Sequence, residues 1–244
     1  MNPTRAIFRR ELRSYFATPV AYVFLVVFLV LTGIFTFKLG GFFPRGRADL
    51  VALFSNLPVL FMVLIPAIAM RLWADERRSG TVEALMTLPI TMGQAVVGKF
   101  LAAWAFTCVA LALTTPLWLT VTYLGTPDHG VILAGYLGAV LMAGAYLAVC
   151  AGISALTENQ VIALVLSVVV CLLLTLSGTP MVIDYLKGFA PQVIVDTVIF
   201  MSFMTHFDAI VRGVVDMRDV LFFASFMGLG LFANAVIIDR TKAR

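Results

Sequence analysis

HGVILAGYLGAVLMAGAYLAVCAGISALT, residues 129–157, contains no Asp, Glu, Lys or Arg. A helix needs about 20 apolar residues to cross the hydrocarbon core of a bilayer, so an uncharged run of this length is a candidate span. Five other windows share the property: Ser14–Phe37, Leu50–Met70, Phe100–Pro127, Asn159–Ile183 and Val220–Ile238. A transmembrane β-strand would need only about 10 residues of alternating polarity, and no such alternation runs through them. The reading is an all-α integral membrane protein with six transmembrane helices, at residues 19–37, 51–70, 99–124, 131–156, 160–178 and 219–238.

Composition agrees. Of 244 residues, 61% are hydrophobic and 12% charged, against about 25% charged in a soluble domain. So apolar a chain lacks the polar surface to cover itself in water, and its length points to one membrane domain over residues 1–244. The first window is too long for a signal peptide and lacks a small-x-small cleavage site, so it is expected to remain as a span. Cys108, Cys150 and Cys171 all lie inside apolar windows, where a thiol behaves as a small apolar group; neither a disulfide nor a metal framework is expected.

Charge sets the orientation. The N-terminus, residues 71–99, the turn at Glu158 and the C-terminus hold 11 of the 17 Lys and Arg. The alternate loops hold six, with seven acidic residues. The basic side is expected in the cytoplasm, with both termini inside. The net charge of +4 is then an orientation signal rather than a nucleic-acid surface, which would need a basic face on a folded domain.

Three polar segments carry more than anchoring. In residues 1–18, Phe8, Leu12, Tyr15 and Phe16 fall on one side of a helix and Arg9, Arg10 and Arg13 on the other, the pattern of an interfacial helix lying on head groups. In RLWADERRSGTVEALMTLP, residues 71–89, Gly80 followed by Glu83 suits a helix start and Pro89 bounds it. Val82, Leu85 and Met86 form an apolar face there. Flanked by Asp75, Glu76, Arg77 and Arg78, such a helix suits docking into another protein's groove; a solvated loop with a lipid-facing helix fits the composition equally. Residues 180–218 alternate short apolar runs with charges, as re-entrant or interfacial helices between spans five and six would. His206 and Asp208, two apart, would project to different helix faces, so a metal site is not expected.

Smaller signals qualify these readings. Pro58 and Pro66 should kink the second span. GQAVVGKF, residues 93–100, has the glycine-to-lysine spacing of a phosphate-binding loop, but Phe100 replaces the required Ser or Thr and no strand precedes it. Lys99 reads better as a snorkelling anchor. Gly144, Ala148 and Gly152, at four-residue spacing, should let another helix approach closely.

The N-terminal interfacial helix, the stretch DERRSGTVEALMTLP (residues 75–89) and the six spans together resemble the type-2 ABC permease family over nearly the whole chain. FSNLP (54–58) with IPA (65–67), and HFDAIVRG (206–213) through VDMRD (215–219), are similar to its gliding-motility-type branch. The resemblance implies a permease homodimer or pseudo-dimer in the bacterial inner membrane, with two copies of a cytoplasmic ABC ATPase subunit that binds ATP and Mg. No cofactor or catalytic site falls on this chain. It also implies a cytoplasmic coupling segment over residues 71–92, carried by Asp75, Glu76, Arg77, Arg78, Gly80, Thr81, Val82, Glu83, Leu85 and Met86. Residues 1–18 become an elbow helix, with Phe8, Arg9, Arg10, Leu12 and Arg13. Residues 180–218 become an external re-entrant gate, with His206, Asp208, Arg212, Gly213, Asp216 and Asp219. The first and fifth spans would line the dimer interface and pathway, and an auxiliary protein with a large external domain has a place beside them.

The function expected is to couple ATP hydrolysis to export or to force transmission. An ion-coupled secondary transporter would usually carry ionisable groups inside its spans, and the six windows have none. An enzyme needs a convergent acid, base or nucleophile set, and His129 and His206 both fall in external segments. A structural anchor of an envelope or motility complex is the remaining alternative.

Overall fold

The computed structural model describes residues 3–46, 48–80, 90–188 and 190–241, and among them every regular element is a helix. Helix α1 (Pro3–Ala17) meets α2 (Pro19–Ile34) at Thr18. Pro19 sits in the first turn of α2, where a missing N–H costs nothing. The end of α2 widens into a π-helical turn, Phe35–Leu39. Helix α3 (Val51–Ala69) keeps Pro58 and Pro66 inside an unbroken run. After a turn comes α4 (Ala74–Ser79), closed by Gly80 in the left-handed conformation at φ +69°. The spacing predicted a helix start at Gly80. The residues that would form that helix, 81–89, lie outside the described ones; Gly80 itself closes α4, which the pattern did not announce, because a residue without Cβ reaches a positive φ at little cost.

Helix α5 (Met92–Ala112) opens with a reciprocal cap between Thr91 and Gln94. It gives way at Leu113–Thr114 to α6 (Thr115–Leu124), since Pro116 has no N–H to carry the ladder across. Asp128 caps α7 (His129–Leu156), and Asn159 caps α8 (Gln160–Leu176). Three short helices follow, α9 (Pro180–Lys187), α10 (Gln192–Phe200) and α11 (Phe203–Val211), and then α12 (Met217–Thr241).

Among the described residues, five helical stretches are long and apolar enough to cross a membrane: Pro19–Pro44, Val51–Ser79, Met92–Leu124, His129–Leu156 and Met217–Arg240. Two bent pairs, α8 with α9 at 75° and α10 with α11 at 57°, would raise the number to seven if each were one span. The expected fifth span is therefore the straight part of a bent pair.

Helix α7 is the hub, touching α3, α4, α5, α8, α11 and α12. The stripe Gly144, Ala148 and Gly152 does what its spacing predicted: a Cβ on Gly230 of α12 would lie 2.8 Å from the carbonyl carbon of Ala148. Helix α11 turns inward, burying Phe203 among Tyr146, Phe222, Phe223 and Phe226. By contrast α2 and α8 leave rows of apolar side chains uncovered, including Val23, Val26 and Val30, and Val165, Val169 and Leu173. Lipid or a second protein must meet these faces.

Candidate functional site

The segment between α3 and α5 is keyed onto the bundle by side chains from three other helices. Ser154, fully buried near the end of α7, donates its hydroxyl to Met70 O at 3.0 Å. It accepts from the backbone N–H groups of Trp73 at 3.3 Å and Ala74 at 3.2 Å. One hydroxyl thus serves the end of α3 and the start of α4, whose first N–H groups have no partner within the helix.

Lys99 of α5 performs a second fastening. Its ammonium is 2.7 Å from Glu76 and 3.7 Å from Glu11 of α1. It also donates to Leu72 O at 3.2 Å and lies 5.0 Å from the centre of the Trp73 ring. With only 3% of the residue exposed, Lys99 is not the snorkelling anchor that its place at a span end suggested. A buried ammonium persists only when paired and hydrogen-bonded, and Glu76 and Leu72 supply both.

Arg77 makes the third. Its guanidinium donates to Ala155 O at 2.6 Å and lies 3.5 Å from Glu158. A cation there satisfies a free carbonyl and meets the negative end of the α7 dipole. Asp75 accepts from Gln160 at the start of α8. Asp75, Glu76 and Arg77 therefore bind α4 to α8, α1 with α5, and α7 respectively, while Arg78 and Gly80 are exposed. Thr81, Val82, Glu83, Leu85 and Met86 lie outside the described residues.

Helix α1 packs on α5 rather than resting on lipid alone. Ile7, which the stripe of Phe8 and Leu12 did not include, is buried against Gly98, where a Cβ would come within 2.9 Å of its side chain. Tyr15 stacks on Phe106 at 5.2 Å and Phe16 meets it edge-on at 5.7 Å. Phe8 and Leu12 are half-buried, and Arg9, Arg10 and Arg13 are exposed, as the periodicity predicted. Ser154, Lys99 and Trp73 were invisible as site residues because each lies in or beside an apolar window and is defined by a partner distant in sequence.

On the opposite side His206 and Asp208 do not come together. His206 Nδ1 lies 2.6 Å from Asp219, and Nε2 lies 3.0 Å from Phe200 O. The carbonyl of Phe200 can only accept, so Nε2 is the donor in that bond. The ring stacks on Phe222 at 3.9 Å. Gly213, at φ +86°, lets the chain turn against Val131, and Asp216 accepts from the N–H of Arg218 at the start of α12. Arg212 is exposed and Asp208 half-buried. A His–Asp pair joining α11 to α12 was not legible from spacing.

Among known protein families, the sequence profile described as ABC-2 family transporter protein matches residues 6–238. No curated protein gives a significant match.

Proposed function

The chain belongs to the ABC-2 family of transporter proteins, and on that premise we propose that it receives its energy from a separate ATPase docked on the face that carries α1 and α4. The chain is a membrane permease subunit of an ABC transporter. What supports an ATPase docked there is the triple fastening of the segment between α3 and α5. Ser154, the Lys99–Glu76 pair and Arg77 tie it to α7, α5 and, through Glu11, α1. A push delivered to residues 81–89 would pass through α4 into the hub helix and the elbow together, instead of being lost in a flexible loop.

In this reading residues 71–92 are the coupling segment and α1 the elbow. Both termini face the cytoplasm of a bacterium and the protein sits in the inner membrane. ATP and Mg bind to two copies of the partner ATPase. A second permease copy covers the apolar faces of α2 and α8, forming a homodimer. Residues 180–218 form the external gate, closed by His206 on Asp219. The likeness of residues 54–67 and 206–219 to the gliding-motility-type branch favours force transmission to an external partner as well as export.

The test is co-purification with the cognate ATPase and measurement of its turnover. Glu83→Arg should lower permease-dependent ATP hydrolysis several-fold while the thermal midpoint of the permease stays unchanged. Wild-type turnover in that variant would overturn the coupling role.

A further inference from the structure

A cavity of about 240 Å³ opens between α1, α2, α3 and α5 on the α1 side of the bundle. Its wall changes character with depth. Phe24, Ile68 and Phe106 come from within the apolar helices, whereas Glu11, Arg71 and Asp75 lie at or beyond their ends. On α5, Phe106 stands seven residues beyond Lys99, about 10 Å at the helical rise. One end is therefore hydrocarbon-like and the other is charged and open.

The charges are unequally committed. Lys99, which also lines the cavity, is held by Glu76 and Glu11. Arg71 is exposed and makes no hydrogen bond or ion pair among the described residues. It stands near the Tyr15 hydroxyl: burial, and then Glu11, push that group's pKa up, and Arg71 opposes them. Asp75 accepts one bond from Gln160, which leaves further lone pairs on its carboxylate. The mouth thus offers an uncommitted guanidinium and a partly free carboxylate above an apolar cleft.

We propose that this cavity binds the head group of an aminophospholipid from the adjacent leaflet, with the phosphate on Arg71, the ammonium against Asp75, and the upper acyl carbons along Phe24 and Ile68. A guanidinium matches phosphate oxygens with two parallel donors. A simple anionic head group fits less well, because Glu11 and Asp75 share the same wall. Free phosphate would leave the apolar end unfilled. The bound lipid would join α1 to α4, and its binding does not depend on the ATPase partner.

The test is native mass spectrometry of the purified full chain, titrated with phosphatidylethanolamine, phosphatidylcholine or phosphatidylglycerol of the same acyl chains. Phosphatidylethanolamine should be retained above both others. Arg71→Ala should weaken its binding about tenfold, the loss expected of one hydrogen bond to a charged group, and Arg71→Lys should recover part of it. Ala67→Phe, which fills the cavity and leaves its charges in place, should also abolish retention, so the proposal stays testable if Arg71→Ala misfolds. Arg218→Ala, on the opposite side, should change nothing. Inorganic phosphate should not displace the lipid; displacement would mark a phosphate site instead. Equal retention of the three lipids, or unchanged retention in Arg71→Ala and Ala67→Phe, would overturn the proposal.

Discussion

Ser154 illustrates how much one small polar side chain can carry in an apolar helix. Its hydroxyl is the partner of two buried N–H groups and one carbonyl. Ser154→Ala should lower stability by about 1–3 kcal/mol, the cost of leaving buried polar groups unpaired, read as a fall in the thermal midpoint of the protein in detergent. A midpoint equal to wild type would mean that water takes over the hydroxyl's role. Lys99→Met, which removes the cation facing Glu76 and Glu11, should cost a similar ~1–3 kcal/mol, less than for a fully buried pair because Glu76 keeps some contact with water. Glu76→Gln added to Lys99→Met should restore part of the loss, since the nearer of the two carboxylates that faced the ammonium is then neutral; failure to recover would show that packing on Trp73, not charge, holds Lys99. The sequence showed the charges of both residues but not their commitment, because an ammonium at a span end can equally well snorkel outward.

At the scale of elements, α7 and α12 approach until backbone meets backbone at Ala148 and Gly230. The stripe Gly144, Ala148 and Gly152 was legible, and its meaning as a packing face held; that the partner would be α12 was not, since several helices could have used it. The geometry separates two substitutions of the same chemistry. A Cβ at Gly230 would stand 2.8 Å from backbone of Ala148, whereas one at Gly152 would meet its nearest neighbour, Gly230 O, at 3.8 Å. Gly230→Ala should therefore destabilise by about 1–3 kcal/mol, because backbone cannot yield without parting the helices. Gly152→Ala should be near neutral. Equal thermal midpoints for the two variants would refute the close packing. The elbow shows the converse case. Its amphipathic face was plain from Phe8, Leu12, Tyr15 and Phe16, yet part of that face docks on Phe106 and Gly98 of α5. A hydrophobic stripe specifies burial, not whether lipid or protein does the burying.

At the scale of the whole molecule, the alternation of helices places α1, α4 and the turn at Glu158 on one side and α9 on the other. In a variant with Cys108, Cys150 and Cys171 replaced by Ser, Glu158→Cys should react with a membrane-impermeant maleimide only from the cytoplasm, and Asp184→Cys only from outside. Labelling of both from the same side would overturn the orientation. What the chain determined unaided was its solvent and its element type: uncharged runs of bilayer length force helices, because lipid offers backbone groups no partners, and that condition is met residue by residue along the chain. Tertiary structure alone decided which polar groups meet, such as Lys99 with Glu76, Ser154 with the start of α4, and His206 with Asp219, and that the run beginning at residue 160 bends after Leu176 rather than continuing straight. Those outcomes depend on helix register and on partners remote in sequence, where a shift of one residue, about 100° around a helix, would part the atoms.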